Sequence, residues 1–296
     1  MFSNLSFISF CNRIRILKKC KTTLFVFLGS LLWSFPAWAD LVIELSEDRL
    51  IVSQPDEGMV LIPEGSFMMG SSKEDIEWVV HTFNSASRKW YQDETPKQKI
   101  YLKSYYIDKL EIINAKYKAY MQSTGKPAPK FWDNPRFNKP EQPVVGVNFD
   151  EAVEYCLWVG KRLPNEAEWE KAARGWDARR FPWGDEPNPT LANIRGLKDQ
   201  YRYTSPAGIY VNGKSPYGVM DMAGNVWEWT SEWYLPYPNN ENTNEMFGQT
   251  LKVVRGGSWN SNMDLARAAI RGKALPKQKQ NYIGFRCVMQ LQKGEK

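Results

Sequence analysis

An α+β fold, rich in loops and poor in regular secondary structure, is predicted by three features of this 296-residue sequence. Three segments carry complete helix start and stop signals. Several short runs read as strands. The text beyond Gly175 is dominated by Pro, Gly, Asn and aromatic residues, and no Gly/Ser or Pro-rich linker interrupts residues 57–290, which predicts one domain.

In chain order, residues 40–56 alternate only weakly (Leu41-Val42-Ile43, then Leu50-Ile51-Val52) and are expected to form a loose arm. Met59 to Pro63 and Gly65 to Gly70 read as two short strands joined by a Pro-Glu-Gly turn, and Ile100 to Ile107 as a third. The first helix opens at Asn114, carries Tyr117, Tyr120 and Met121 at helical spacing and stops at Gly125. The second opens at Asn148, where Glu151 completes a capping box, presents Ala152, Val153, Cys156 and Leu157 on one face and ends at Gly160. The third runs from Asn165, boxed by Glu168, to Gly175. Beyond it only Leu251–Val254 and Phe285–Val288 look like strands. So long an irregular stretch must be held by something other than ladders, and bound metal ions are one candidate.

The N-terminus reads as a signal peptide over residues 1–39: Arg13, Arg15, Lys18, Lys19 and Lys21 precede an apolar run from Leu24 to Phe35 that ends in Ala37-Trp38-Ala39. The run falls short of the roughly 20 residues that span a bilayer, so no stable membrane anchor is expected. Cleavage before Asp40 implies an exported protein, periplasmic in a Gram-negative source. Those five are among 39 basic residues and none of the 33 acidic ones precedes Asp40, so 34 basic residues face 33 acidic ones in the remainder. Five of the six net positive charges thus belong to the signal, and neither nucleic acid nor an anionic membrane surface is an expected partner.

Two cysteines, Cys156 and Cys287, follow residue 39; they either pair, as an oxidising compartment favours, or stay as two buried thiols. A bridge closing 131 positions would stabilise the fold by roughly 4–5 kcal/mol in the chain-entropy treatment. His81 is the only histidine, which leaves no two-histidine metal site and no hydrolase triad, and a surface or packing role is expected for it. The acid pairs Asp150/Glu151 and Glu166/Glu168 are explained by helix capping.

The run Gly160-Lys161-Arg162-Leu163-Pro164-Asn165-Glu166-Ala167-Glu168-Trp169-Glu170, then Phe181-Pro182-Trp183-Gly184, resembles the formylglycine-generating enzyme (sulfatase-modifying factor) family. So do Gly224-Asn225-Val226-Trp227-Glu228-Trp229, Arg255-Gly256-Gly257-Ser258-Trp259 and Gly284-Phe285-Arg286-Cys287, in the family's order across residues 57–290, leaving 291–296 as a tail. The resemblance implies the formylglycine-generating-enzyme variant of the C-type-lectin-like fold. It also implies two structural calcium sites, a first with Asn193 and Asp199 side chains and Ile194 and Tyr201 carbonyls, and a second with Asp221 and Glu228 carboxylates and Gly224 and Val226 carbonyls. Calcium takes about six to eight oxygens and tolerates irregular loops, so these donor types suit it. Pairing of Cys156 with Cys287 is a further implication.

The departure from the family concerns its chemistry. Sulfatase-activating members place two cysteines shortly after the Gly-Gly-Ser segment, bind copper there and oxidise a substrate cysteine. Here residues 258–286 contain no cysteine, and Ser261 stands three positions after Ser258. No copper centre and no formylglycine generation are expected. The reading that follows is an exported accessory or maturation factor binding a peptide, protein or small-molecule ligand in a groove near Ser258, Trp259, Asn260, Arg267 and Arg271. The alternatives are an exported oxidase resembling the family's siderophore-maturation branch, and formylglycine generation by an unrecognised centre.

Overall fold

A computed structural model describes residues 57–196 and 200–290. The expected signal peptide, the 40–56 arm, the 291–296 tail and Asp199 lie outside the described residues.

The described residues open with strand β1 (Met59–Ile62), turn through Pro63-Glu64 and continue as β2 (Gly65–Met69). Helix α1 (Lys73–Phe83) follows, which the sequence reading missed although its start was written there. Ser72 accepts a hydrogen bond from the Asp75 N–H and Asp75 accepts one from the Ser72 N–H, while Asn84 closes the helix in the left-handed region.

The single strand expected over Ile100–Ile107 is two strands, β3 (Gln98–Leu102) and β4 (Tyr105–Asp108), which break at Lys103-Ser104 and enter different sheets. β3 pairs antiparallel with β2; β4 lies between β1 and the last strand, β9 (Val288–Gln290). The two ends of the domain are thereby laced together.

Helices α2 (Asn114–Thr124), α3 (Phe149–Trp158) and α4 (Glu166–Arg174) stand where their signals put them, with both expected capping boxes formed. Asn114 differs in its role. It is the first helical residue, and its amide donates to the Phe137 and Lys139 carbonyls, pinning the 137–139 loop instead of capping the helix.

The remaining sheet runs β7 (Gly272–Ala274), β6 (Lys252–Arg255), β5 (Trp227–Trp233), β8 (Ile283–Gly284). β5, inside the Trp-rich motif, was not among the expected strands; its sequence, Trp-Glu-Trp-Thr-Ser-Glu-Trp, sets polar residues at 228 and 230–232, and Glu228 and Thr230 are nevertheless buried. Of the expected strand Phe285–Val288 only Val288 enters a ladder, in β9; Phe285 and Cys287 are buried in the core, and their carbonyls accept from the Ile112 and Asp108 N–H groups.

Rings fill that core, and their indole N–H groups find the acceptors a buried indole requires. Tyr117, Tyr120, Tyr155 and Phe285 pack in one core cluster with the Cys156–Cys287 disulfide, Tyr117 stacked on Tyr155 and the other pairs edge to face; the cysteine Cα atoms are 5.7 Å apart. Trp169 of α4, with no exposed surface, donates to Glu228 Oε2 at 2.8 Å, and Trp229 donates to the Val147 carbonyl.

Candidate functional site

β6 delivers the chain into Gly256-Gly257 and the segment 258–266. A side chain at Gly257 would meet the Leu265 carbonyl at 2.5 Å, and its φ of +77° is one that glycine tolerates. The tight return places Ser258 and Ser261 side by side. Ser261 Oγ accepts from the Ser258 N–H at 3.0 Å, the two hydroxyls are 3.1 Å apart, and Ser258 Oγ donates to Asn260 Oδ1. Both serines are buried.

Trp259 and Asn260 reach the surface as half-buried residues. The Trp259 ring leans on Tyr203 and Phe137, and Arg136 lies over Tyr203. Of the five residues expected to line one groove, these two alone keep a face toward solvent.

Arg267 and Arg271 are the correction. Arg267 makes a two-pronged pair with Glu94 at 2.8 and 2.7 Å; Arg271 does the same with Glu166 at 2.7 and 2.9 Å and also donates to the Asp93 and Leu235 carbonyls. Both are about as buried as the aromatic core. They serve as internal fasteners: Arg267 donates three hydrogen bonds and Arg271 four, all to carboxylates and carbonyls inside the fold.

They belong to a buried layer of charge that the sequence reading missed. Glu166 and Glu170, one turn apart on α4, face inward. Glu166 takes Arg271 and Arg255; Glu170 takes Arg255, Arg174 and the Gly70 N–H. Capping was therefore an incomplete explanation for Glu166. Burial pushes its carboxyl up, but Arg271 and Arg255 more than offset this and hold it below the ordinary value. The sequence signal was present: Glu166 and Glu170 share a helix face with Ala173.

The expected cation sites are partly built. Asn193 is fully buried, its amide N–H₂ donates to the Tyr203 carbonyl and to Asn225, and its Oδ1 has no partner among the described residues. Such an oxygen suits a hard cation, and Ile194 and Tyr201 are nearby in the chain, although Asp199 lies outside the described residues. At the second site, Asp221 accepts from the Gly208 N–H, and Gly224 and Val226 belong to the tight 221–226 turn, where a side chain at Gly224 would meet the Asn193 carbonyl at 2.2 Å.

Glu228 does not fit its expected role as a free ligand. Both its oxygens are held by Arg286 at 2.7 Å, and one also receives the Trp169 indole. Glu111, which the sequence reading overlooked, lies in the same buried charge cluster. Its Oε2 accepts from Asn225 Nδ2 at 2.7 Å and its Oε1 has no partner. Burial, then Asp221 and Glu228, raise the Glu111 carboxyl well above the ordinary range. Among the described residues no group of three or more His, Cys, Asp or Glu is arranged to hold a metal ion. Any cation here would rest mainly on amide, carbonyl and single carboxylate oxygens.

An open cleft of about 530 Å³ lies elsewhere, between the first turns of α1, residues 88–97 and the loop 239–242. His81, at the far end of α1, is exposed.

Residues 48–291 match the family described as "Sulfatase-modifying factor enzyme 1-like domain". The chain is 31% identical to the uncharacterized protein YfmG of Bacillus subtilis (strain 168), over 80% of this chain and 55% of that protein, so it spans about half that relative's length. It is 30% identical to the formylglycine-generating enzyme of Streptomyces coelicolor (strain ATCC BAA-471 / A3(2) / M145), over 78% of this chain and 88% of that enzyme. The solved structure of PvdO from Pseudomonas aeruginosa superposes with a TM-score of 0.65 at 28% identity, covering 79% of this chain and 94% of that one.

Proposed function

Because this chain belongs to the sulfatase-modifying factor family and has its variant of the C-type-lectin-like fold, we propose that it is an exported member that binds a ligand as an accessory or maturation factor and does not generate formylglycine. The observation that carries this reading is the Ser258–Ser261 pair. Two buried hydroxyls bonded to each other occupy the turn after Gly257, and both described cysteines are committed to the Cys156–Cys287 bridge. A serine hydroxyl does not ionise as a thiol does and is a poor ligand for copper(I), so this turn lacks the groups that thiol-driven oxidation requires.

Calcium is proposed as a structural ion, supported by the unpartnered Asn193 oxygen. It would neutralise buried oxygens and hold the 193–226 loops together. Binding would use half-buried rings such as Trp259, since aromatic residues give large contact area for few rotatable bonds.

The test is to incubate purified protein with copper, oxygen and a peptide carrying Cys-x-Pro-x-Arg and to follow the peptide by mass spectrometry. Its mass should not change. Reproducible conversion of the thiol to an aldehyde, abolished by Ser261→Ala, would overturn the proposal.

A further inference from the structure

The β2–β3 ribbon stands apart from the other two sheets: β3 is bonded on one side by β2, and none of its backbone groups has any other partner among the described residues. An open strand edge carries a row of unpaired N–H and C=O groups, which is a template for another extended chain. Pro96 and Lys97, the two residues before β3, line the 530 Å³ cleft. Edge and cleft are therefore continuous along the chain.

We propose that this edge, with the adjoining cleft, takes an extended acidic peptide as an added strand. The proposal rests on the reading that the chain binds a ligand, names a partner class, and uses a surface separate from the Trp259 rings.

Charge selects that partner. Alternation in β3 turns Gln98, Ile100 and Leu102 toward the protein, Ile100 and Leu102 packing by Phe67, Met69 and Tyr237, and leaves Lys99 and Tyr101 exposed. Lys97 precedes and Lys103 follows on the same alternation, and no acidic residue lies between them. Lys97 alone is paired, with Asp75 at 3.0 Å. A second copy of this strand would set lysines against lysines, so the same residues that block self-pairing favour a strand bearing carboxylates.

The adjoining cleft is polar and nearly balanced in charge, since Arg88 is paired with Glu77 and Lys97 with Asp75, which leaves Lys73 and Glu241. It is lined by Lys73, Arg88 and Lys97 against the carboxylates of Glu77 and Glu241, with Ile76 and Pro96 its only apolar side chains. Burying hydrocarbon would gain little there, so a ligand must exchange hydrogen bonds and charge. Its volume lies within the about 300–1,000 Å³ range of ligand sites. Main-chain bonding to an edge supplies affinity whatever the sequence, while side-chain charge supplies the choice of partner.

The experiment uses a fluorescein-labelled hexapeptide of alternating Glu and Thr, titrated with the protein and read by anisotropy. Two further peptides carry N-methyl groups on either alternate set of residues. The expected result is saturable binding that weakens at least tenfold in Lys99→Glu and in Lys73→Glu, and that one N-methyl register abolishes while the other spares it. Both lysines are exposed, and thermal midpoints equal to wild type will verify that the variants fold. Absence of binding, binding equal for both N-methylated peptides and the parent, or indifference to Lys99→Glu would overturn the proposal. The same peptides titrated against Trp259→Ala separate the two readings: binding lost in Trp259→Ala but kept in Lys99→Glu overturns the edge proposal alone, while the Cys-x-Pro-x-Arg oxidation assay tests independently that no formylglycine is made.

Discussion

Replacing Arg271 by Met separates a ligand-binding arginine from a structural one. Its guanidinium joins Glu166 through two hydrogen bonds, ties the Asp93 and Leu235 carbonyls, and lies 4.2 Å from the centre of the Tyr237 ring. Methionine keeps the apolar volume but leaves Glu166 with Arg255 and Tyr237 as its remaining partners. Breaking one side of a buried pair costs about 3–5 kcal/mol, chiefly because a charge stays buried without its partner. For a domain of this size each kcal/mol shifts the thermal midpoint by about 2–4 °C, so a fall of roughly 6–20 °C is expected. Urea unfolding followed by tryptophan fluorescence would give the same loss as a lower midpoint concentration with an unchanged slope. Adding Glu166→Gln to Arg271→Met should recover part of the loss, since it removes the stranded charge. A single variant within about 0.5 kcal/mol of wild type, the range of ordinary surface changes, would refute the reasoning and return Arg271 to the list of groove residues.

Chelating calcium from the purified protein should lower its thermal midpoint, because an ion bound only to the folded state stabilises it by mass action; an identical midpoint with and without the ion would remove calcium from the proposal. The double variant Cys156→Ser, Cys287→Ser should lose about 2–5 kcal/mol in denaturant unfolding, and non-reducing peptide mapping of the wild type should recover the two cysteine peptides as one species. Burial, then the adjacent Glu94, raises the Asp93 carboxyl from 3.8 to about 6. An acid with a raised folded pKa stabilises the fold while protonated, fully below about pH 4, and that contribution disappears as the pH rises through 6. Asp93→Asn should therefore gain on wild type by up to ~3 kcal/mol between pH 4 and pH 7, read as the difference in unfolding free energy. A pH-independent difference would show that Asp93 is not strained by its charge.

Local chemistry was legible without coordinates. Asn148 with Glu151 and Asn165 with Glu168 set helix starts because a capping box is satisfied within four residues, and Ser72 with Asp75 would have given α1 by the same rule. The motif run from Gly160 to Cys287 carried the family, and the missing thiols after Gly257 are a property of the sequence itself. What the tertiary structure decided is where charge goes. Arg267 and Arg271 look alike whether they line a groove or lock a core, because an arginine's role depends on whether a carboxylate distant in sequence is brought to it. Glu94 is 173 residues from Arg267 and Glu166 is 105 from Arg271. Glu228 was likewise taken by Arg286, and Glu111 entered the cluster through Asn225, 114 residues away. Periodicity and capping act over one or two turns, whereas desolvation and ion pairing act across the closed fold, so only the folded chain fixes which polar groups stay available to a partner.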